Sequence, residues 1–185
     1  LLENKAEVDK AMNDGTTPLY IAAQNNHTDA MQLLLENKAG VDEAKNNGAT
    51  PLFGAAYGGH PEAMQLLLRH GAQANVVDKD GYTALISAAE DGHAEAVKVL
   101  LPHMTMAVVN QQILSNGATA LHQAAGCDDG HPAVVELLVC HGADMTIRSN
   151  DGNTALQDAQ AKNHPVCVRM LDPHDLLPLL LPWSI

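Results

Sequence analysis

The chain is poor in aromatic side chains, which make up only 3% of its 185 residues. A core must therefore be assembled from Leu, Ala and Val rather than around large rings. Basic residues are also scarce: 10 Lys and Arg stand against 22 acids, a formal charge of −12. Phosphate binding draws its affinity from Lys and Arg, so this balance excludes a nucleic-acid binder. It equally disfavours an anionic membrane surface. Cysteine is limited to Cys127, Cys140 and Cys167, an odd number with no C-x-x-C pair. No complete disulfide framework can form, and free thiols point to a reducing, cytoplasmic location. No apolar run reaches the roughly 18 residues needed to span a bilayer. No charged-then-apolar signal opens the chain. Also missing are the nucleophile elbow, the P-loop, the zinc-protease helix and the dinucleotide fingerprint. An enzyme is not expected, and no cofactor or metal is implied.

What the chain does have is a repeat. Gly48-Ala49-Thr50-Pro51-Leu52 lies 33 residues after Gly15-Thr16-Thr17-Pro18-Leu19 and 33 before Gly81-Tyr82-Thr83-Ala84-Leu85. Gly117-Ala118-Thr119-Ala120-Leu121 and Gly152-Asn153-Thr154-Ala155-Leu156 follow at longer spacings. Each copy leads to a histidine, His27, His60, His93, His131 or His164, and then to a Leu-rich stretch. A period of this size signals stacked units instead of a closed globule. Within a unit, Gly after a polar residue suits a tight turn. Thr two residues on can cap a helix, and Pro fits its first position. Leu52, Ala55 and Ala56 share one face, Gly59-His60 breaks the helix, and Pro61 opens a second. Met64, Leu67 and Leu68 then form an apolar stripe, and Gly71 suits the left-handed residue that ends a helix.

These residues resemble the ankyrin repeat, with its turn, helix, helix unit and its D-G-x-T-P-L-H-x-A-A…G-H…L-L-x-x-G-A signature. The resemblance covers residues 1 to about 172 and implies an all-α solenoid with short β-hairpin fingers. Departures are local. Ala84, Ala120 and Ala155 replace the helix-opening Pro. Tyr20, Phe53, Ile86 and Gln157 replace the signature His, which survives as His122. Met104 stands where the first Gly of a Gly-Ala pair is expected. The chain divides into a partial repeat at 1–12, repeats at 13–45, 46–78, 79–114 and 115–149, a C-terminal repeat or cap at 150–172, and an apolar Pro-containing tail at 173–185. Residues 1–12 match the end of a unit, and the chain does not begin with Met, so the parent array is expected to continue N-terminally. The tail is expected to fold over the last helix. Pro102, Met104 and the longer Gly81-to-Gly117 spacing predict a rebuilt loop over 104–114. Two extra residues lengthen Gly126-Cys127-Asp128-Asp129-Gly130.

Ten histidines in an acidic chain invite a metal site, but a residue that recurs once per unit lies about 10 Å from its nearest copy, too far for one ion. The rings are expected to bond backbone between repeats. Cys127 near Asp128, Asp129 and His122 lacks the electropositive setting a thiolate needs.

By resemblance, the function is non-covalent protein binding on a concave face of fingers and first helices, by a monomeric array. The family's contact positions carry over to residues flanking each turn Gly and ending each first helix. The acids among them are Asp14, Asp80, Glu90, Asp91, Asp128, Asp129 and Asp151, against Lys79 and Lys162. Tyr57 and Tyr82 supply aromatic anchors, and Asn116 lies at a finger. The partner expected over Tyr57, Lys79, Asp80, Tyr82, Glu90, Asp91, Asn116, Asp128, Asp129 and Asp151 has a basic or mixed polar surface. Two other readings stay open: a targeting array of a larger enzyme or effector whose catalytic domain lies elsewhere, and an architectural spacer.

Overall fold

A computed structural model describes residues 7–172. Residues 1–6 of the partial repeat and the expectation for the tail at 173–185 fall outside the described residues. Eleven α-helices are present among them: α1 (Pro18–Gln24), α2 (Thr28–Glu36), α3 (Pro51–Tyr57), α4 (Pro61–Arg69), α5 (Ala84–Glu90), α6 (Ala94–Leu100), α7 (Met106–Val109), α8 (Ala120–Gly126), α9 (Pro132–Cys140), α10 (Ala155–Ala161) and α11 (Pro165–Leu171). The first helices α1, α3, α5, α8 and α10 pack in one row, and the second helices α2, α4, α6, α9 and α11 in another. The all-α solenoid is therefore the observed architecture. No strand occurs among the described residues; each finger is a tight turn closed by two backbone bonds.

Each first helix begins in the same way. Thr17, Thr50, Thr83, Thr119 and Thr154 accept the backbone N–H three residues on, satisfying a donor that has no partner within the helix. At His122 and Gln157 the side chain returns the favour and bonds the threonine N–H. Tyr20, Phe53 and Ile86 occupy that position without completing the box. Leu19, Leu52, Leu85 and Leu121 then enter the core, and the alanine pairs Ala22-Ala23, Ala55-Ala56, Ala88-Ala89 and Ala124-Ala125 are buried between neighbouring first helices. Such small residues let the helices approach closely.

Two hydrogen-bond series join the units. Each turn bonds its successor through the backbone: Asn46 N–H to Asp14 O at 2.9 Å, Lys79 to Asn47 at 2.9 Å, Leu114 to Asp80 at 2.9 Å and Asn150 to Asn116 at 2.8 Å. A second series uses side chains. Asp9, Asp42, Asn75 and Asn110 accept the N–H of Gly40, Gln73, Thr105 and Asp144.

The second series locates the irregularity between repeats three and four. Thr105 takes the place of Gly40 and Gln73, so Met104 takes the alanine's place beside the core and not the glycine's. Its backbone is extended, with φ −105° and ψ 146°, so the left-handed geometry is not kept. Pro102 lies in a 3-10 turn over Leu101–His103 after α6 has ended, where its missing N–H costs no helical bond. The extra residues between Thr105 and Asn110 coil into α7, whose Val109 is buried together with Ile113. The loop is rebuilt, as expected, and it sends Met104, Val109 and Ile113 into the core while Thr105, Met106, Ala107, Gln112 and Leu114 stay exposed.

Candidate functional site

The site is built where the first helices end. The last carbonyls of a helix have no partner within it. Here the next repeat supplies one: His93 Nε2 bonds Tyr57 O at 3.2 Å, His131 Nε2 bonds Glu90 O at 3.0 Å, and His164 Nε2 bonds Cys127 O at 2.7 Å. The accepting groups are carbonyls, so each Nε2 carries the proton. The expected ring-to-backbone bonding between repeats thus holds for His93, His131 and His164, and for His122, whose Nε2 bonds Asn153 O at 3.1 Å; His70 instead bonds Leu66 O within its own repeat. None of His93, His131 and His164 caps its own helix with its side chain, which leaves the imidazole free to reach back.

Glycine makes the reach possible. Gly59, Gly92 and Gly130 have φ of +66°, +71° and +56°. A Cβ on them would lie 2.6, 2.5 and 2.8 Å from His93, His131 and His164. Repeat one carries Asn26 at this position, φ 54°, and among the described residues His60 makes no hydrogen bond to the helix before it.

The side chains of the carbonyl acceptors then stand beside the fingers. Tyr57, at the end of α3, is 54% exposed. Glu90 and Asp91, at the end of α5, are exposed, as are Asp128 and Asp129 in the loop after α8. Lys79 and Asp80 form the exposed tip of the third finger; Asn116 and Asp151 lie in the fourth and fifth. Tyr82 is different: it is half-buried and packs against the core. Burial raises its phenol pKa first, and the charges of Glu90, Asp78 and Asp80 raise it further. Tyr82, Glu90 and Asp80 thus belong to one electrostatic cluster. Glu90 is itself pushed up, by partial burial and then by Asp91, an effect that the nearby Gln123 side chain partly offsets.

The acids differ in what already holds them. Asp14 accepts from Thr16 N and Oγ1 at 3.0 and 2.7 Å and meets Lys45 at 3.3 Å; Lys45 also lies 5.0 Å over the Tyr20 ring. Asp128 pairs with Lys162 at 2.8 Å, and the hydrogen bond to that lysine lowers its pKa. Asn47 and Asn116 each close their own turn, accepting from Ala49 and Ala118. In the third finger that task falls to Asp78, which accepts from Asp80 N and Tyr82 N at 2.9 and 2.8 Å. The Asp80 carboxylate is left free. Asp80, Asp91, Asp129 and Asp151 form no ion pair among the described residues.

Sequence reasoning missed Gln123, Lys45 and Leu114 as participants, and it named Lys162 as a contact position without its pairing to Asp128. Gln123 gives no signal beyond its place near a helix end. Lys45 and Lys162 neutralise acids that spacing alone cannot pair. Leu114 stands at the fourth finger's tip, where alignment on Gly117 puts Ser115. The finger closes with Gly117 N–H on Ile113 O, one residue longer than Gly81 on Asp78 O, and the inter-finger bond shifts to Leu114.

Nothing in this arrangement prepares a nucleophile. Burial pushes the Cys127 thiol up, and Asp129 adds to the effect. Among the described residues no group of three His, Cys, Asp or Glu is placed to hold a metal ion, and no helix is long and apolar enough to cross a membrane.

The family model for ankyrin repeats (three copies) matches residues 1–78 and 52–149. A search of curated proteins gives no match. The turn-helix-helix units, the threonine caps and this match agree: the chain belongs to the ankyrin-repeat family.

Proposed function

We propose that the chain is a protein-binding module that seats a partner with a basic or mixed polar surface on its fingers and first-helix ends. Ankyrin repeats generally mediate protein–protein interaction. The observation that carries the finer reading is the cluster of uncompensated charge at repeats three and four. Asp80, Glu90, Asp91 and Asp129 are exposed and without ion pairs, and the exposed ring of Tyr57 stands at the end of the preceding first helix. Hydrogen bonds fix the backbone beneath them, so little ordering is needed on binding. Asp128, held by Lys162, and Tyr82, held against the core, act as supports at the edge of this surface. Charge complementarity of this kind acts chiefly on association rate and weakens as salt screens it.

The test is affinity capture with three versions of the array: unaltered, with Asp91→Lys and Asp129→Lys together, and with Asp29→Lys and Glu62→Lys on the second helices. A partner lost only by the first pair supports the reading. A partner lost only by the second pair moves the interface to the other side of the array.

A further inference from the structure

We infer that Leu114 is the apolar anchor of the partner surface, and that its occupant is a polypeptide segment carrying a bulky apolar residue next to Lys or Arg. The inference rests on the protein-binding reading above. The inter-finger bonds place Asn46, Lys79, Leu114 and Asn150 at equivalent tips. Three are polar, as a solvated tip requires. Leu114 is 70% exposed, and no other large apolar side chain among the described residues is more so.

An isolated exposed leucine is ordinary, but this one is presented by a braced loop. On one side its N–H bonds Asp80 O at 2.9 Å. On the other, Gln112 Nε2 bonds Arg148 O at 3.0 Å and Gly117 O at 2.7 Å. Asn150 adds two bonds, from its N–H to Asn116 O at 2.8 Å and from Nδ2 to Ser115 O at 3.2 Å. The leucine side chain rests on bare backbone: a Cβ on Gly81 would lie 3.1 Å from Leu114 Cγ. A bulky apolar group held on a rigid tip loses little entropy when covered, which is what makes an anchor effective.

Charge selects the occupant. The residue bonded to Leu114 is Asp80, a finger acid whose carboxylate is not engaged in its own turn. On that finger Asp78 and Asp80 outweigh Lys79, so an arriving segment meets an apolar contact and a net negative charge on adjoining fingers. An apolar residue beside Lys or Arg satisfies both; an acidic segment is repelled.

The experiment selects a displayed random-peptide library on the unaltered chain and measures the enriched peptides against Leu114→Asn, Asp80→Asn, Asp91→Asn and Leu33→Asn. Leu114→Asn copies the side chain of Asn46 and Asn150, so its denaturation midpoint should match that of the unaltered chain. The expected result is enrichment of peptides pairing an apolar residue with Lys or Arg, with at least tenfold weaker binding to Leu114→Asn and to Asp80→Asn. Leu33, exposed on α2, should not matter. Binding that survives Leu114→Asn but falls with Asp91→Asn overturns the anchor and keeps the protein-binding face. Binding that falls only with Leu33→Asn overturns both. Peptides of other chemistry, or none enriched, overturn the proposal. So does self-association of the unaltered chain that Leu114→Asn abolishes, because the occupant would then be a second copy.

Discussion

Alanine at Gly92 and alanine at Gly71 separate backbone strain from the imidazole contact. Both glycines have positive φ, +71° and +88°. An alanine at either therefore meets the left-handed strain of about 1–2 kcal/mol. Around Gly71 nothing lies within 4 Å of a Cβ, whereas at Gly92 the His131 ring lies 2.5 Å away. Gly92→Ala must push the ring off the Glu90 carbonyl. Losing that bond adds about 1 kcal/mol, and displacing a packed ring adds about 1 kcal/mol more. The expected losses are therefore about 1–2 kcal/mol for Gly71→Ala and about 3–4 kcal/mol for Gly92→Ala. Urea unfolding followed by far-ultraviolet circular dichroism reads both, provided a second probe gives the same transition. A double-mutant cycle with His131→Ala completes the measurement. In that background Gly92→Ala should cost no more than Gly71→Ala, a coupling of about 2 kcal/mol. Equal losses for the two glycines, or additivity with His131→Ala, would refute the contact as a source of stability.

The other expectations concern caps, charge and local opening. Thr83→Val keeps the shape of a fully buried residue but strands the Ile86 N–H. It should cost about 1–2 kcal/mol, against less for Thr154→Val, whose helix lies in the more exposed terminal repeat; denaturation midpoints decide. Glu90→Gln removes a carboxylate whose pKa is raised by burial and by Asp91. A folded-state pKa above the unfolded value means that stability falls as pH rises through the interval between them. Glu90→Gln should therefore raise the melting temperature at pH 7 and leave it unchanged below the ordinary carboxylate range. A melting temperature that falls at pH 7 would contradict the assignment. For a bound basic partner the sign is opposite: affinity should decline as pH falls through the raised Glu90 pKa, and Glu90→Gln should flatten that profile. Amides of Thr105 to Asn110, in the single turn α7, should exchange hydrogen faster than those of α3 and α4; equal protection by mass spectrometry would count against a weak junction.

Much of the fold was legible because one unit states its own chemistry. Thr50, Pro51, Leu52 and the Ala55-Ala56 pair name a cap, a helix start and a packed face without reference to any neighbour. The contacts between units were harder to see. Gly92 could be recognised as a turn residue, but not as the seat of an imidazole belonging to the next repeat. Asp42 and Asn75 recur at the same spacing as the glycines, yet nothing local shows that each holds the N–H of the following unit. Insertions hid the most. A net excess of three residues between Gly81 and Gly117 combines a one-residue deletion before Thr105, three inserted between Thr105 and Asn110, where α7 forms, and one added to the finger. Spacing alone reports only the sum, so Met104 and Ser115 were each placed one position away from the residue's true role. Electrostatic pairing was likewise invisible, because Lys162 reaches Asp128 across the repeat boundary.

Stacking and binding meet at the same atoms. Tyr57 and Glu90 each offer a carbonyl to the imidazole of the next repeat and a side chain to the exposed surface. The bond that joins two units also fixes the backbone from which the candidate contact residue projects. Cys127 O does the same beside Asp128 and Asp129. A partner contacting these side chains binds residues whose backbone has already been ordered by stacking, which lowers the entropic cost of docking. This coupling has a consequence for Gly92→Ala: once His131 is displaced, the end of α5 loses its tether, and Glu90 and Asp91 become more mobile. The substitution should weaken partner binding even though Gly92 carries no side chain to contribute. Gly71→Ala, with equal backbone strain and no imidazole to disturb, should leave affinity unchanged. If both variants, measured well below their unfolding transitions, bind as the unaltered chain does, then the stacking bonds stabilise the array without organising its surface.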